Sequence, residues 1–117
     1  SNLDIGFAQY KVLEAINQNM LAKQNTVAEL LDQTEASISR QIKILQRKGL
    51  IKVSTVMGNK RAKELSLTGI GEEMVRQAED ILDESQSQII GGLSYQEQRL
   101  FQELFERMLN RARKENL

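Results

Sequence analysis

The chain contains no cysteine and no histidine. Disulfides, thiol nucleophiles, cysteine-based redox sensing, Ser-His or Cys-His catalysis and any ordinary zinc site are excluded with them. Proline and tryptophan are also absent, and the aromatic residues are two tyrosines and three phenylalanines. Without proline or a Gly/Ser-rich stretch nothing marks an internal linker, and no repeat is visible at a period of roughly 20–50 residues. No apolar run approaches the roughly 20 residues of a membrane-spanning helix, and no basic-then-apolar secretory signal opens the chain. A cytoplasmic protein with no membrane partner is therefore expected, and Ser1-Asn2 reads as a tag remnant. What remains is 117 residues, 40% hydrophobic and 27% charged, which suits one globular domain.

Net charge is lacking too, with 16 bases against 16 acids. The distribution is less even. Residues 35–64 hold eight bases (Arg40, Lys43, Arg47, Lys48, Lys52, Lys60, Arg61, Lys63) against Glu35 and Glu64 alone. One positive third in a neutral chain is an electrostatic footprint for a polyanion. Surrounding acids such as Glu72, Glu73, Glu79 and Asp80 sharpen it by repelling a polyanion elsewhere.

Hydrophobic periodicity is mostly helical. Ala8, Val12, Leu13 and Ile16 predict a helix near residues 8–18. Thr26-Val-Ala-Glu29 has the form of a capping box before a short helix. Thr34 caps a longer one, with Ile38, Ile42 and Leu45 on its inner face and Ser37, Arg40, Lys43 and Arg47 outside. Gly49 sits where a left-handed residue ends it. The period then becomes two. Ile51, Val53 and Thr55, then Lys63, Leu65 and Leu67, predict a hairpin turning at Met57–Lys60. Thr68 precedes a long helix near residues 69–90, broken by Gly91-Gly92. Ser94-Tyr-Gln-Glu97 caps a last helix near residues 95–114. The expected fold is mainly α with a small β-hairpin.

A short helix, a turn and a helix with a basic outer face form a helix-turn-helix. An α-helix fits the major groove of B-DNA, its N-terminal half meeting base edges. Ser37 and Ser39 permit close approach and bond phosphates or bases. Arg40 reaches guanine O6 and N7. Lys43 and Arg47, further along, suit phosphate contacts. A basic-tipped hairpin after such a helix is a wing, with Arg61, beside Lys60, placed for a minor groove.

The chain resembles the MarR family of winged helix-turn-helix transcriptional regulators. The resemblance rests on IGFAQYKVL at residues 5–13, SISRQIKILQRKGLI at 37–51 and NKRAKELSLTGIG at 59–71, and it covers nearly the whole chain. It implies a winged lobe over residues 8–68 and dimerisation helices over 69–117. It implies DNA contacts from Ser37, Ser39 and Arg40, and minor-groove insertion by Arg61. It also implies a homodimer on a pseudo-palindromic operator, with Ile81, Leu82, Ile89, Leu100, Phe101, Leu104, Phe105 and Met108 assigned to the interface. A small-molecule effector bound between the two regions would release DNA. Two departures stand out. Asn59 replaces an aspartate common in the family's wing, and only about four residues stand where the family has a full helix before the first block.

The competing reading is a winged-helix module whose basic face docks on an acidic protein. An enzyme is not expected. Glu72-Glu73 and Asp83-Glu84 are sequence neighbours, whereas glycoside hydrolysis needs carboxyls facing each other across a substrate. Gly69-Ile-Gly71 lacks the lysine of a phosphate loop. No cofactor or metal is called for.

Overall fold

A computed structural model describes residues 4–19, 22–56, 59–84 and 92–115, with the side chains of residues 56, 59–62, 83–84 and 115 left aside. In chain order these form α1 (Phe7–Gln18), β1 (Ala22–Lys23), α2 (Gln24–Leu30), α3 (Glu35–Arg47), β2 (Ile51–Val56), β3 (Asn59–Leu67), α4 (Gly69–Glu84) and α5 (Tyr95–Glu115). The architecture is mainly helical with one small antiparallel sheet. The predicted turn at Met57-Gly58, Ile89 and the break at Gly91 lie outside the described residues.

The sheet has three strands in the order β1-β3-β2, one more than the expected hairpin. Two residues, Ala22 and Lys23, pair with Leu65 and Glu64. A strand this short has no readable alternation, which hides it from sequence. It also corrects the start of α2. The chain leaves β1 directly into helix at Gln24, with Lys23 as N-cap. Thr26 is therefore inside the helix, and its amide donates to Asn25 Oδ1 instead of joining a capping box.

The turn between α2 and α3 uses paired stop and start signals. Gln33 N–H donates to Ala28 C=O at 2.9 Å and Asp32 N–H to Glu29 C=O at 3.2 Å, the paired bonds of a Schellman stop. Asp32 takes the left-handed position at φ 52°. Thr34 Oγ1 then accepts from Ser37 N–H at 3.1 Å and opens α3 as predicted. The same stop ends α3. Gly49 lies at φ 76°, with Leu50 N–H on Leu45 C=O and Gly49 N–H on Gln46 C=O, both at 3.0 Å.

Thr68 fastens the sheet's exit to this corner. Its hydroxyl donates to Gly49 C=O at 2.7 Å and accepts from Gly71 N–H at 3.1 Å. A Cβ on Gly71 would lie 2.2 Å from Leu50 C=O, so only glycine fits there. Ser94 and Glu97 form the predicted capping box of α5, with bonds of 2.9 and 3.2 Å.

One continuous core joins the elements. Val12, Leu13, Val27, Ile38, Leu45, Leu50 and Met74 are fully buried in it. Helix α1 packs on α2, α3, α4, α5 and β3. It therefore buries residues all round, including Tyr10, Val12, Leu13, Ala15 and Ile16. It is the spine between the winged lobe and the two long helices.

Candidate nucleic-acid interface

Helix α3 has a sharp division of faces. Ile38, Ile42 and Leu45 are buried, while Arg40, Lys43 and Arg47 are exposed. At about 100° per residue the three cations fall within roughly 60° of one another, opposite the buried row. None of them forms an ion pair among the described residues. Arg40 is thus not held by Glu35. Ser39 is partly exposed beside this row. Ser37 is partly exposed too, and its hydroxyl donates to Gln33 Oε1 at 3.1 Å, which leaves its lone pairs open.

The structure does not gather all eight bases. Lys48 turns inward from the end of α3 to the main-chain carbonyl of Asp4. Register puts Ile51, Val53 and Thr55 on one face of the sheet with Leu67, Leu65 and Lys63 opposite them. Lys52 therefore projects from the other face, away from Lys63. Lys60 and Arg61 lie in β3, and their side chains, with that of Asn59, lie outside the described residues. The acids of α4 lie elsewhere, on an exposed face where Arg76 pairs with Glu73 at 2.5 Å and Asp80 at 2.9 Å. The Arg76 bond holds the Glu73 carboxyl below its usual range.

The expected dimer residues divide. Leu100, Leu104 and Met108 are 57, 47 and 47% exposed and follow one another at i, i+4 and i+8 along α5. Ile81 and Phe105, also expected at the interface, are instead buried in the chain's own core. Phe105 is drawn inward by rings, lying 5.2 Å from Tyr10 and 5.9 Å from Phe7 between centroids. Leu82 and Phe101 are partly buried against the same core. Periodicity marked both rows of α5 as apolar but could not say which row its own domain would use.

A cavity of about 310 Å³ opens beside these rings, lined among others by Phe7, Tyr10, Glu14, Leu82, Gln98 and Phe101. Its polar end is already paired. Tyr10 Oη donates to Glu14 Oε2 at 2.9 Å, and Lys11 reaches Glu14 Oε1 at 2.8 Å. Burial, then the hydrogen bond and charge of Glu14, push the Tyr10 phenol well above its ordinary range, so it stays neutral and donating. Among the described residues no group of acids is arranged to hold a metal ion, and no helix is long and apolar enough to cross a membrane.

A comparison with models of known protein families gives no match. Individual proteins do match. The transcriptional regulator HosA of Escherichia coli O127:H6 is 29% identical over 107 residues, spanning 92% of this chain and 79% of HosA. The Staphylococcus aureus MepR–DNA complex superposes with a TM-score of 0.68 at 27% identity, covering 91% of this chain and 79% of MepR. MarR itself, at 23% identity and a TM-score of 0.65 over 94% of this chain and 80% of MarR, shares the fold. These are regulators and not enzymes. Helix order, the small antiparallel sheet and the sequence likeness together make the chain similar to the non-enzymatic winged helix regulators of the MarR family.

Proposed function

We propose that the chain is a transcriptional regulator that binds double-stranded DNA as a homodimer on a pseudo-palindromic site. The observation that carries this is the outer row of α3: three cations, unpaired among the described residues, on the face opposite its buried leucine and isoleucines. In that reading Arg40 and the two serines meet base edges, and Lys43 and Arg47 meet phosphates. Lys60 and Arg61 serve the wing. MepR, of like fold and sequence, has been captured with DNA, and HosA is a named transcriptional regulator. The exposed Leu100-Leu104-Met108 row supports pairing of two protomers, because such a stripe is costly in water. The cavity between α1, α4 and α5 supports a small-molecule effector. Its aromatic walls and bound polar end suit a largely apolar, aromatic compound.

The test is fluorescence anisotropy across a salt series, on a duplex selected from a random pool and on unselected duplex. A regulator should prefer the selected duplex by roughly a thousandfold or more. Its affinity should fall by about 0.9 log units per phosphate contact per log unit of salt. Weak binding that ignores sequence would favour the competing reading, a winged-helix module that docks its basic face on an acidic protein.

A further inference from the structure

Two consecutive residues ahead of α1 receive contacts from the ends of both α3 and α5. Lys48, the C-cap of α3, donates its Nζ to the main-chain carbonyl of Asp4. The Asp4 carboxylate meets Lys114 Nζ at 3.3 Å and Arg113 Nη2 at 3.8 Å, both in the last turn of α5. The next residue, Ile5, has its N–H and C=O both held by the Asn110 side chain of α5, at 3.2 and 3.1 Å. Ile5 itself is buried in the core.

Two further facts give this junction weight. Arg113 is only 8% exposed, and its Nε and Nη1 find no hydrogen-bond acceptor. Asp4 is the one acid within ion-pair range of it among the described residues. In addition, α3 packs chiefly on α1, α2 and β2, while α5 packs chiefly on α4 and α1. Besides the packing that runs through α1, and the corner of Gly49, Thr68 and Gly71 that leads through α4, Asp4–Ile5 links the end of α3 directly to the end of α5. Charge-assisted bonds in such a half-buried place are stronger and more directional than neutral ones.

We infer that Asp4–Ile5 is a strap that holds the angle between α3 and α5, and that Lys48, Asp4 and Asn110 position the DNA-facing helix without touching DNA. The DNA half of this inference rests on the function proposed above. Helix α5 carries the exposed apolar row, so the strap's angle is carried to the partner protomer and sets the separation of two α3 helices. Lys48 is a positioning residue, distinct in role from Arg40, Lys43 and Arg47 on the same helix.

The absence of native cysteine permits a direct test. Spin labels go on Gln46→Cys in α3 and Glu103→Cys in α5, both exposed positions, in chains diluted with unlabelled chain. Pulsed dipolar spectroscopy should give one narrow α3–α5 distance. Lys48→Met and Asp4→Ala should broaden or shift it, and Lys48→Arg, which keeps the donor, should restore it. If Asp4→Ala does not fold, Lys48→Met decides alone, since it leaves Arg113 facing its acid. An unaltered distribution in Lys48→Met overturns the strap. On DNA, Lys48→Met should weaken binding to the duplex selected by the parent protein about tenfold. Binding to random duplex and the salt slope should stay as they were. Equal loss on both duplexes with a shallower salt slope would make Lys48 a phosphate contact and overturn the proposal. A parent protein that selected no duplex would overturn the DNA reading, and the distance measurement would still decide the strap.

Discussion

Arg40, Lys43 and Arg47 share a face of α3 but are expected to do different work. Arg40 stands near the N-terminal half, which the proposed function sets against base edges, so Arg40→Ala should cost roughly 1–3 kcal/mol on the selected duplex and little on random duplex. Lys43→Ala should weaken both alike and reduce the salt slope by about one. Paired anisotropy titrations separate the two, and equal losses for both variants would show that the division is wrong. Gly71 is a residue whose importance is steric. Its missing Cβ leaves room for Leu50 C=O, which also accepts from Thr68 N–H at 3.0 Å. Gly71→Ala must push strand exit and helix exit apart, at a cost of about 1–3 kcal/mol, readable as a lower urea midpoint. A wild-type midpoint would mean that α4 shifts without penalty.

The elements are set by their ends as much as by their periodicity. Asp32 holds a left-handed conformation at φ 52° at the stop of α2, where glycine carries no Cβ penalty. Asp32→Gly should therefore stabilise the fold, by up to about 1 kcal/mol after the extra unfolded-state freedom of glycine is deducted. Thermal melting checks the sign, and destabilisation would mean that the aspartate side chain holds the turn. At the start of α5, the Ser94 backbone and side-chain hydrogen bonds hold the Glu97 carboxyl below its usual range. A carboxyl whose folded value is depressed adds stability above its unfolded value and loses it as pH falls through the folded one. The advantage of wild type over Glu97→Gln should therefore shrink in melts from about pH 7 to about pH 3. An advantage that does not change with pH would show that the charge of Glu97 is not what the cap uses. The two caps at Thr34 and Ser94 and the glycine stop at Gly49 were legible because each is a local signal. Strand β1 and the true start of α2 were not. Both depend on pairing with Leu65 and Glu64, more than forty residues away.

For the whole molecule, the decisive surface is the row Leu100, Leu104 and Met108. Leu104→Glu places a charge in the middle of that row without entering the core. The variant should keep its helical spectrum but run as a monomer in light scattering, and should lose operator affinity because two half-sites are no longer bound together. A dimeric Leu104→Glu would send the interface elsewhere. The organisation of the winged lobe follows from the chain alone. The alternation of Ile51–Thr55 and Lys63–Leu67, the inner row of α3 and the cationic outer row all repeat at the period of their own element. Periodicity reports which side of a helix is apolar. It does not report what covers that side, which is why Phe105 and Leu104 looked alike until Tyr10 and Phe7 were seen against one of them.

Local chemistry in the sequence thus determined the helices, most of their ends, the wing and the cations of α3, because each depends on neighbours a few residues apart. Tertiary structure alone decided the rest. It turned the half-buried Lys48 onto the main-chain carbonyl of Asp4. It brought Asp4 to Arg113 and Lys114, over a hundred residues apart in the chain. Such contacts are made when α1 packs against both lobes at once, and no pattern within a single segment encodes where a distant segment will come to rest.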